Sequence, residues 1–328
     1  MKKIAVLIHE DVYSSSIGGI IDLFAGANEC LALAGNPPVF QLELVGVNAG
    51  NIQLNVPAQF VCYTTMDQLT GADLIVIPGF KGEPDTILRK YQPVVGWIRE
   101  MYGKGVEIAS MCIGSFFLAE AGLLNGKMAT SHWGLTDVMQ LQYPLVRIKP
   151  DRIITDEEGI YTSGGAFSAL KLILYLIEKF GGRQLVLEVS KRYSMEPDYT
   201  SQSHFAVFAG QRQHHDQEIL ASQTYMEQHY SSDISIEQVA AYCNTGRRNF
   251  IRRFKAATHN TPIEYLQRVR VEAAKKALEN EDGSLDKIIA RVGYEDAKTF
   301  RMIFKRLTGL SPREYRKKYS GRMAVSQA

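Results

Sequence analysis

Residues 106–134 read VEIASMCIGSFFLAEAGLLNGKMATSHWG, and this stretch gives the clearest indication of how the first half of the chain folds. A short apolar run, typical of a buried strand, ends at Cys112, and a helical pattern begins directly after it. A sharp strand-to-helix turn exposes a cysteine sulfur, the helix N-terminus lowers its pKa, and nearby N–H groups can hold an anion. His132 follows twenty positions later and is a candidate base. The pattern therefore raises the question of whether the chain is an enzyme.

The same strand-then-helix pattern recurs on both sides of this stretch. Strands are predicted at 3–9, 41–47, 73–79, 105–112 and 159–165, and helices at 17–33, 93–103, 114–122 and 166–180. Short, nearly continuous apolar strands that alternate with helices predict an α/β, flavodoxin-like, doubly wound parallel sheet. Ligands of such sheets bind beyond the carboxyl ends of the strands. The turns at Gly79, Cys112, Ser163 and Gly164 should therefore converge on one crevice.

Composition and charge divide the chain into two parts. Its 328 residues favour two domains. From residue 225 onward 20 Lys and Arg oppose 12 Asp and Glu, whereas the preceding residues hold 17 against 23. Only the later part is therefore expected to meet a polyanion. The four cysteines show no metal or disulfide spacing, the N-terminal apolar run is too short for a signal peptide, and no membrane span is expected. These features predict a cytoplasmic protein.

A segment whose composition differs from that of either part lies between them. We predict one domain over 1–195, a helical linker over 196–224 and a second, all-α domain over 225–328. Four histidines lie in or beside the linker, at His204, His214, His215 and His229. No cysteine or suitably spaced carboxylate completes a tetrahedral set with them, so we predict neither a metal site nor a cofactor.

The second domain contains an internal repeat. NFIRRFKAATHNTPIEYL (249–266) aligns with TFRMIFKRLTGLSPREYR (299–316) at a spacing of fifty residues, with identical aromatic, lysine and proline positions. A repeat of this length among helical patterns indicates two copies of one supersecondary unit. Each copy predicts a helix-turn-helix whose second helix buries two phenylalanines and leaves basic residues outside.

The outward residues of both second helices suit duplex DNA. Arginine matches guanine edges, asparagine matches adenine, and further cations bind phosphates. A fifty-residue repeat could also occupy two successive major-groove turns. The predicted DNA-binding residues are Arg247, Arg248, Asn249, Arg252, Lys298, Thr299, Arg301, Met302 and Arg306.

The motifs of this domain resemble those of the AraC/XylS family of transcription regulators. The carrying segments are SIEQVAAYCNTGRRNFIRRFKAATHNTPIEYL and IIARVGYEDAKTFRMIFKRLTGLSPREYRKKY. The first copy departs from the pattern at Asn244, where the turn usually has glycine, and at Gly246, where serine usually caps the helix. The resemblance implies that Arg301 and Arg306 serve phosphates. The positions that it implies face bases are Arg248, Asn249, Arg252, Lys298, Thr299 and Met302. It also implies a homodimer formed through the first domain, and contact with RNA polymerase is possible.

The first domain resembles the PfpI/ThiJ superfamily, which is similar to class I glutamine amidotransferase domains, and in particular its GlxA-like branch fused to AraC-type domains. This resemblance is carried by KIAVLIHEDV, ADLIVIPGF, GIYTSGGAFSAL and GVEIASMCIGSFFLAEAGLLNGKMATSHW, in which the strand-to-helix turn at Cys112 forms the elbow. It implies that Cys112 is the elbow cysteine, His132 the histidine after it, and Asp22 the acid that hydrogen-bonds the thiol. The predicted effector site comprises Asp22, Gly79, Phe80, Cys112, Ile113, His132, Ser163 and Gly164, with the amides of Ile113, Gly79 and Phe80 as anion donors.

Three departures from this family bear on catalysis. Ile113 follows the cysteine where peptidase-like members have histidine, Phe80 replaces a glycine and is expected to crowd the anion pocket, and Lys171 stands where many relatives are acidic. We therefore predict a sequence-specific DNA-binding regulator controlled by a small effector, and not an enzyme. Two alternatives stay open: a cysteine-dependent hydrolase or hydratase that uses Cys112 with Asp22 or His132, and a redox sensor in which Cys112 is oxidised.

Overall fold

The computed structural model describes residues 1–197, 201–212, 214–281 and 283–320. The chain divides into two compact units, Met1–Gln202 and Ser203–Ala328. The predicted helical linker differs from the structure, since the described residues of 196–224 contain one short 3-10 turn, Ser203–Phe205, and no longer helix before Gln217. The helix that starts there buries Ile219 in the core of the second unit, so it is part of that unit.

The first unit is built on a seven-stranded sheet. The strands are β1 (Lys2–Ile8), β2 (Phe40–Gly46), β3 (Gly50–Gln53), β4 (Gln59–Cys62), β5 (Thr64–Thr65), β6 (Leu74–Ile77), β7 (Glu107–Ser110), β8 (Met128–Ala129), β9 (Arg147–Ile148), β10 (Ile154–Glu157) and β11 (Ile160–Ser163). The order is β10-β11-β7-β6-β1-β2-β5. All neighbours are parallel except β10 and β11. The predicted parallel sheet is thus confirmed, with an antiparallel edge that the sequence did not predict.

The described residues of the first unit form seven α-helices beside this sheet. They are α1 (Ser14–Leu33), α2 (Pro84–Lys90), α3 (Gln92–Gly103), α4 (Ser115–Glu120), α5 (Thr136–Gln142), α6 (Leu170–Gly181) and α7 (Arg183–Arg192). Helices α1, α6 and α7 contact one another, and α2, α3 and α4 form a separate group. Strands β6 and β11 are buried along their whole length, as in sheets covered on both faces.

Helix α1 is, among the described residues, the one helix long and apolar enough to cross a membrane by length and composition. Its Ile17, Ile20 and Phe24 are fully buried in the core of the first unit. The apolar composition of α1 therefore matches its packing within this unit.

The second unit consists of two similar helical bundles. Its helices are α8 (Gln217–His229), α9 (Ile236–Tyr242), α10 (Arg247–Thr258), α11 (Pro262–Asn280), α12 (Leu285–Arg291), α13 (Ala297–Thr308) and α14 (Pro312–Tyr319). One core lies among α8–α11 and the other among α11–α14. Helix α11 is shared, because its first half packs in one core and its second half in the other.

The fifty-residue repeat is visible in the packing of both cores. Phe254 meets Tyr265 edge-on, with ring centroids 5.3 Å apart, and Phe304 meets Tyr315 in the same way at 5.5 Å. The following helices, α11 and α14, both begin with proline after a capping box. The prediction of two copies of one helix-turn-helix unit is therefore confirmed by the structure.

Candidate functional site

Cys112 lies at an abrupt turn after β7, as the sequence predicts. Its φ of 54° is left-handed, a strained conformation for a residue with a side chain. A 3-10 turn, Cys112–Gly114, leads into α4. Neighbouring glycines make room for this turn: a Cβ at Gly114 would lie 2.6 Å from the Pro78 carbonyl oxygen, and one at Gly79 would lie 3.1 Å from Cβ of Cys112.

Two buried hydroxyls hold the backbone of this turn. Ser115 Oγ donates to the Cys112 carbonyl at 3.1 Å, and Ser131 Oγ donates to the same oxygen at 3.2 Å. Both serines are fully buried and lie 2.9 Å from each other. Neither serine was predicted from the sequence, although Ser131 directly precedes His132. The hydroxyls bind the carbonyl of the cysteine, so they fix the strained backbone and do not activate the sulfur.

The thiol of Cys112 does not have the low pKa that its turn predicts. Its residue is only 4% exposed. Burial raises the pKa of the Cys112 thiol to about 11, and a hydrogen bond from the Ile113 amide offsets only part of this rise. At neutral pH roughly one thiol in ten thousand is then ionised. The prediction of a lowered pKa is corrected, because the two short helical segments after Cys112 do not outweigh the loss of solvent.

Tyr13, at the start of α1, faces this turn. Its amide donates to the Gly79 carbonyl at 3.0 Å. Burial raises the pKa of Tyr13, and the nearby Cys112 raises it further. Phe80 is fully buried, with its ring 5.5 Å from the ring of Phe117 on α4. The ring thus packs in the core, and the expectation that Phe80 crowds an anion pocket is corrected.

Asp22 and His132 are not brought to the sulfur of Cys112. Asp22 is exposed on α1, and its carboxylate helps to raise the pKa of Tyr193. His132 is half-buried, its Nδ1 accepts a hydrogen bond from the Gly134 amide at 3.1 Å, and burial lowers its pKa. Within the part of the chain that the structure describes, neither side chain hydrogen-bonds the thiol. The predicted contacts of both side chains with Cys112 are therefore corrected. Asp22 lies on the outer face of α1, and Nδ1 of His132 binds the Gly134 amide instead.

Ser163 and Gly164 lie at the end of β11. Ser163 is fully buried and donates to the Ser110 carbonyl at 3.4 Å, which joins the ends of β11 and β7. Gly164 packs against the carboxamide of Gln202, which also contacts Ser131. The structure thus brings Gly79, Cys112, Ile113, Ser163 and Gly164 to the same end of the parallel sheet, as predicted. Gln202 was missed because it comes from distant sequence.

A buried polar cluster follows β1 at the same end of the sheet. Burial would raise the pKa of Asp11, but hydrogen bonds from Lys90 at 2.8 Å and Tyr91 at 2.7 Å outweigh it and lower that pKa. His9 is 1% exposed, and its ring lies 4.2 Å from that of Tyr91. Neither nitrogen of His9 has a hydrogen-bond partner among the described residues. His9 is therefore held in its neutral form.

His9 should make the first unit sensitive to acid. Burial lowers the pKa of His9 from 6.5 to about 4; Asp11 opposes this with a smaller raising, and Lys90 adds a still smaller lowering. Between pH 4 and 6.5 the unfolded chain binds a proton at His9 that the folded chain does not bind. The contribution of neutral His9 to the free energy of unfolding is therefore fully present above pH 6.5 and is lost as the pH falls toward 4. We expect a loss of about 2–3 kcal/mol from His9 between pH 7 and 4.5. Urea unfolding at both pH values measures it.

His9→Phe is the control variant for this prediction. A phenyl ring suits the aromatic neighbours Phe80, Tyr91 and Phe117, and it removes the titrating group without removing a described hydrogen bond. The variant should lose less stability than the wild type on acidification. Equal losses in the two proteins would contradict the role of His9.

Helix α10 presents the first set of predicted DNA-binding residues. Arg247, Arg248, Asn249 and Arg252 are all exposed and line one shallow depression. Arg252 donates to Oδ1 of Asn249 at 2.8 Å, which orders both side chains. The capping position before α10 provides no side-chain hydrogen bond, and the preceding turn contains Asn244 with φ of 50°. Asparagine tolerates this left-handed conformation, so the turn forms without the usual glycine.

Helix α13 presents the second set. Its capping residue Asp296 accepts hydrogen bonds from the amides of Lys298 and Thr299. The predicted contact residues Lys298, Thr299, Arg301, Met302 and Arg306 are all exposed. Met302 is 64% exposed, which is unusual for a large apolar side chain. Arg306 donates to Gln267 of α11 at 2.6 Å and is thereby partly positioned.

Comparisons with known proteins agree with both units. The DJ-1/PfpI family matches residues 2–179, and a helix-turn-helix domain family matches residues 239–318. The HTH-type transcriptional regulator CdhR of Pseudomonas aeruginosa is 28% identical over 76% of this chain and 74% of its own length. The isonitrile hydratase of Pseudomonas putida is 30% identical over 51% of this chain and 72% of its own.

A solved structure shares the fold of the first unit. An AraC family transcriptional regulator from Pseudomonas putida superposes with a TM-score of 0.52 and 19% identity, over 59% of this chain and all of that one. At this identity the likeness concerns the fold alone. The matched residues and the sheet with its cysteine turn show that the chain belongs to the DJ-1/PfpI family, with an AraC-type helix-turn-helix domain joined to it.

Proposed function

We propose that this protein is a transcription regulator whose second unit binds promoter DNA and whose first unit binds a small effector. The observation that carries the proposal is the pair of helix-turn-helix copies, each with an exposed, basic second helix. Regulators such as CdhR, which align with both units, support it. We further propose that the protein acts in the cytoplasm as a homodimer formed through its first unit, and that it contacts RNA polymerase.

The second helices α10 and α13 would each enter a major groove. Arg248, Asn249 and Arg252 lie on the exposed side of α10, where guanidinium and amide groups can meet base edges. Lys298 and Met302 occupy the corresponding side of α13, and the methyl of thymine suits an exposed apolar side chain. The pair between Arg247 and Glu237 is exposed on both sides, so phosphate can replace the carboxylate at little cost.

The effector would bind at the carboxyl end of the sheet, near Cys112. A buried, protonated thiol without a hydrogen-bonded base among the described residues is a poor nucleophile, so this geometry favours binding over turnover. The similarity to the isonitrile hydratase supports a second candidate function, in which the first unit is a hydratase that uses Cys112. Oxidation of Cys112 also requires the thiolate, and burial disfavours it in the same way.

Alanine at Arg252 or Lys298 should weaken DNA binding. Each substitution removes one cationic contact, and we expect a loss of about 10- to 100-fold in affinity. The measurement is fluorescence anisotropy at fixed salt, with a duplex that the full-length protein enriches from a random pool. A smaller dependence of affinity on salt concentration should accompany the loss wherever the side chain binds phosphate.

Lys276→Ala is the matched control for these variants. Lys276 is exposed on α11, outside both second helices, and its loss removes the same charge. Its affinity for the selected duplex should stay within about twofold of the wild type. Wild-type affinity in both Arg252→Ala and Lys298→Ala, or failure of the pool to yield any bound duplex, would refute the proposed DNA interface.

A further inference from the structure

Gln202 occupies a fully buried pocket in the first unit. Its side-chain Nε2 donates to Thr130 Oγ1 at 3.1 Å and to the carbonyls of Ser131 and Pro150 at 3.0 Å each. Its own amide donates to the Asp151 carbonyl at 2.9 Å. The residue is 0% exposed. The pocket therefore presents three oxygen acceptors that converge on one N–H₂ group.

The other end of this carboxamide is not satisfied. Oε1 of Gln202 is buried and has no hydrogen-bond partner among the described residues. It lies against Gly164, where an added Cβ would be 2.2 Å from this oxygen. An unpaired buried acceptor is costly, so Gln202 does not use the full capacity of a carboxamide here. The pocket thus matches the N–H₂ end of this group closely and its oxygen end poorly.

The pocket adjoins the cysteine turn. The carbonyl of Ser131 accepts from Gln202, and Oγ of the same residue donates to the Cys112 carbonyl at 3.2 Å. Gly164, which leaves space for the carboxamide, is also one of the predicted effector residues. A ligand bound beside Gly164 would therefore lie next to the side chain of Gln202.

The chemistry of the pocket selects a neutral donor. Two of the three acceptors are backbone carbonyls, and the third is the hydroxyl of Thr130. None of them carries a charge, and burying an ammonium or guanidinium without a counter-charge is strongly unfavourable. A primary carboxamide presents two N–H donors without a charge, whereas a carboxylate presents none. The chemical class that fits is therefore the primary carboxamide.

We propose that this pocket is a binding site for a primary carboxamide group, and that Gln202 is its internal ligand, which a carboxamide-bearing effector replaces. The replacement rests on the proposed regulatory function, whereas the pocket itself does not. The next residue, Ser203, begins the turn Ser203–Phe205, which contacts α13 within the second unit. Release of Gln202 would therefore free the chain directly before a turn that packs on a DNA-binding helix.

Chemical rescue tests the pocket in the full-length protein. Gln202→Ala removes the fragment that acetamide can replace, and this variant should melt at a lower temperature than the wild type. Acetamide should restore the melting temperature with half-maximal effect at roughly 1–100 mM, as expected for a ligand of four heavy atoms. N,N-dimethylacetamide has no N–H donor and should not restore it. The wild type should need at least about tenfold more acetamide, because its own side chain competes.

Gln202→Met is the matched control, since it fills the pocket without an amide. Acetamide should leave its melting temperature unchanged apart from the general solvent effect. Equal responses of the alanine and methionine variants, or equal effects of the two amides, would overturn the site.

If Gln202→Ala does not fold, hydrogen exchange of the wild type tests whether acetamide displaces the side chain of Gln202. Acetamide, but not its dimethyl derivative, should accelerate exchange at residues 201–205, and no acceleration at 1 M acetamide would overturn the proposal.

These readouts involve no DNA, so they hold or fail independently of the proposed DNA interface. Anisotropy of the alanine variant with the selected duplex then tests regulation. A change in affinity on adding acetamide supports it, and an unchanged affinity overturns the regulatory half of the proposal.

Discussion

Replacing Glu272 by alanine is expected to lower the free energy of unfolding of the second unit by about 3–5 kcal/mol. The reason is the ammonium of Lys275, which lies 2.9 Å from the Glu272 carboxylate on α11 and whose side chain is only 5% exposed. Without Glu272, this buried charge keeps the Ala206 carbonyl, 2.5 Å away, and loses its counter-charge. The Phe208 amide, which donates to the same carboxylate at 3.1 Å, loses its acceptor as well.

Urea unfolding followed by circular dichroism measures this loss, and a second substitution identifies its cause. Lys275→Met in the Glu272→Ala background removes the stranded charge and should recover a large part of the stability. Lys276→Ala, on the exposed side of the same helix, should change the stability by less than about 0.5 kcal/mol. A Glu272→Ala variant as stable as the Lys276→Ala control would show that the buried pair does not act as described.

Truncation of Phe304 to alanine should cost about 3–5 kcal/mol. Phe304 is fully buried on α13, between Phe300 and Tyr315, with both ring centroids 5.5 Å away. Removing its ring leaves a cavity in a core that few residues form, so the α11–α14 bundle should unfold first. Differential scanning calorimetry should therefore show an earlier transition in this variant.

Met302→Ala is the control on the same helix. It also truncates a large apolar side chain of α13, but Met302 is 64% exposed, so the free energy of unfolding should change by less than about 0.5 kcal/mol. The two variants also separate stability from recognition, because Met302 is a predicted base contact and Phe304 is not. Similar losses of stability in both would contradict the assignment of inner and outer faces on α13.

The parts of the fold that were predicted correctly depend on local pattern. The sheet has strands that are buried on both faces, β1, β6 and β7, and each of them appears in the sequence as a short apolar run. The repeat around Phe254 and Phe304 is visible as identical residues at a constant spacing. The strands β3, β4 and β10 were missed, since they are short and partly exposed and have no continuous apolar run.

The candidate site was only half predictable, because its remaining features depend on contacts between distant residues. The turn at Cys112 was visible from a strand followed by a helix. Its raised pKa was not, since burial depends on Tyr13 and other residues that approach only in the folded chain. Asp22 was misplaced because the register of α1 places it outward. Gln202 carries no motif, and only the folded structure places it against Gly164.

Helix α11 sets the distance and the relative rotation between the two copies of the helix-turn-helix unit. It is one continuous helix, Pro262–Asn280, and it contributes Tyr265 to one core and Ala274 to the other. Each residue added to an α-helix advances the chain by about 1.5 Å and turns it by about 100°. A single insertion in α11 would therefore turn one of the two helices that we propose to contact DNA, α10 and α13, away from the face that the other presents. Target sequences should consequently keep a constant number of base pairs between their two contacted segments.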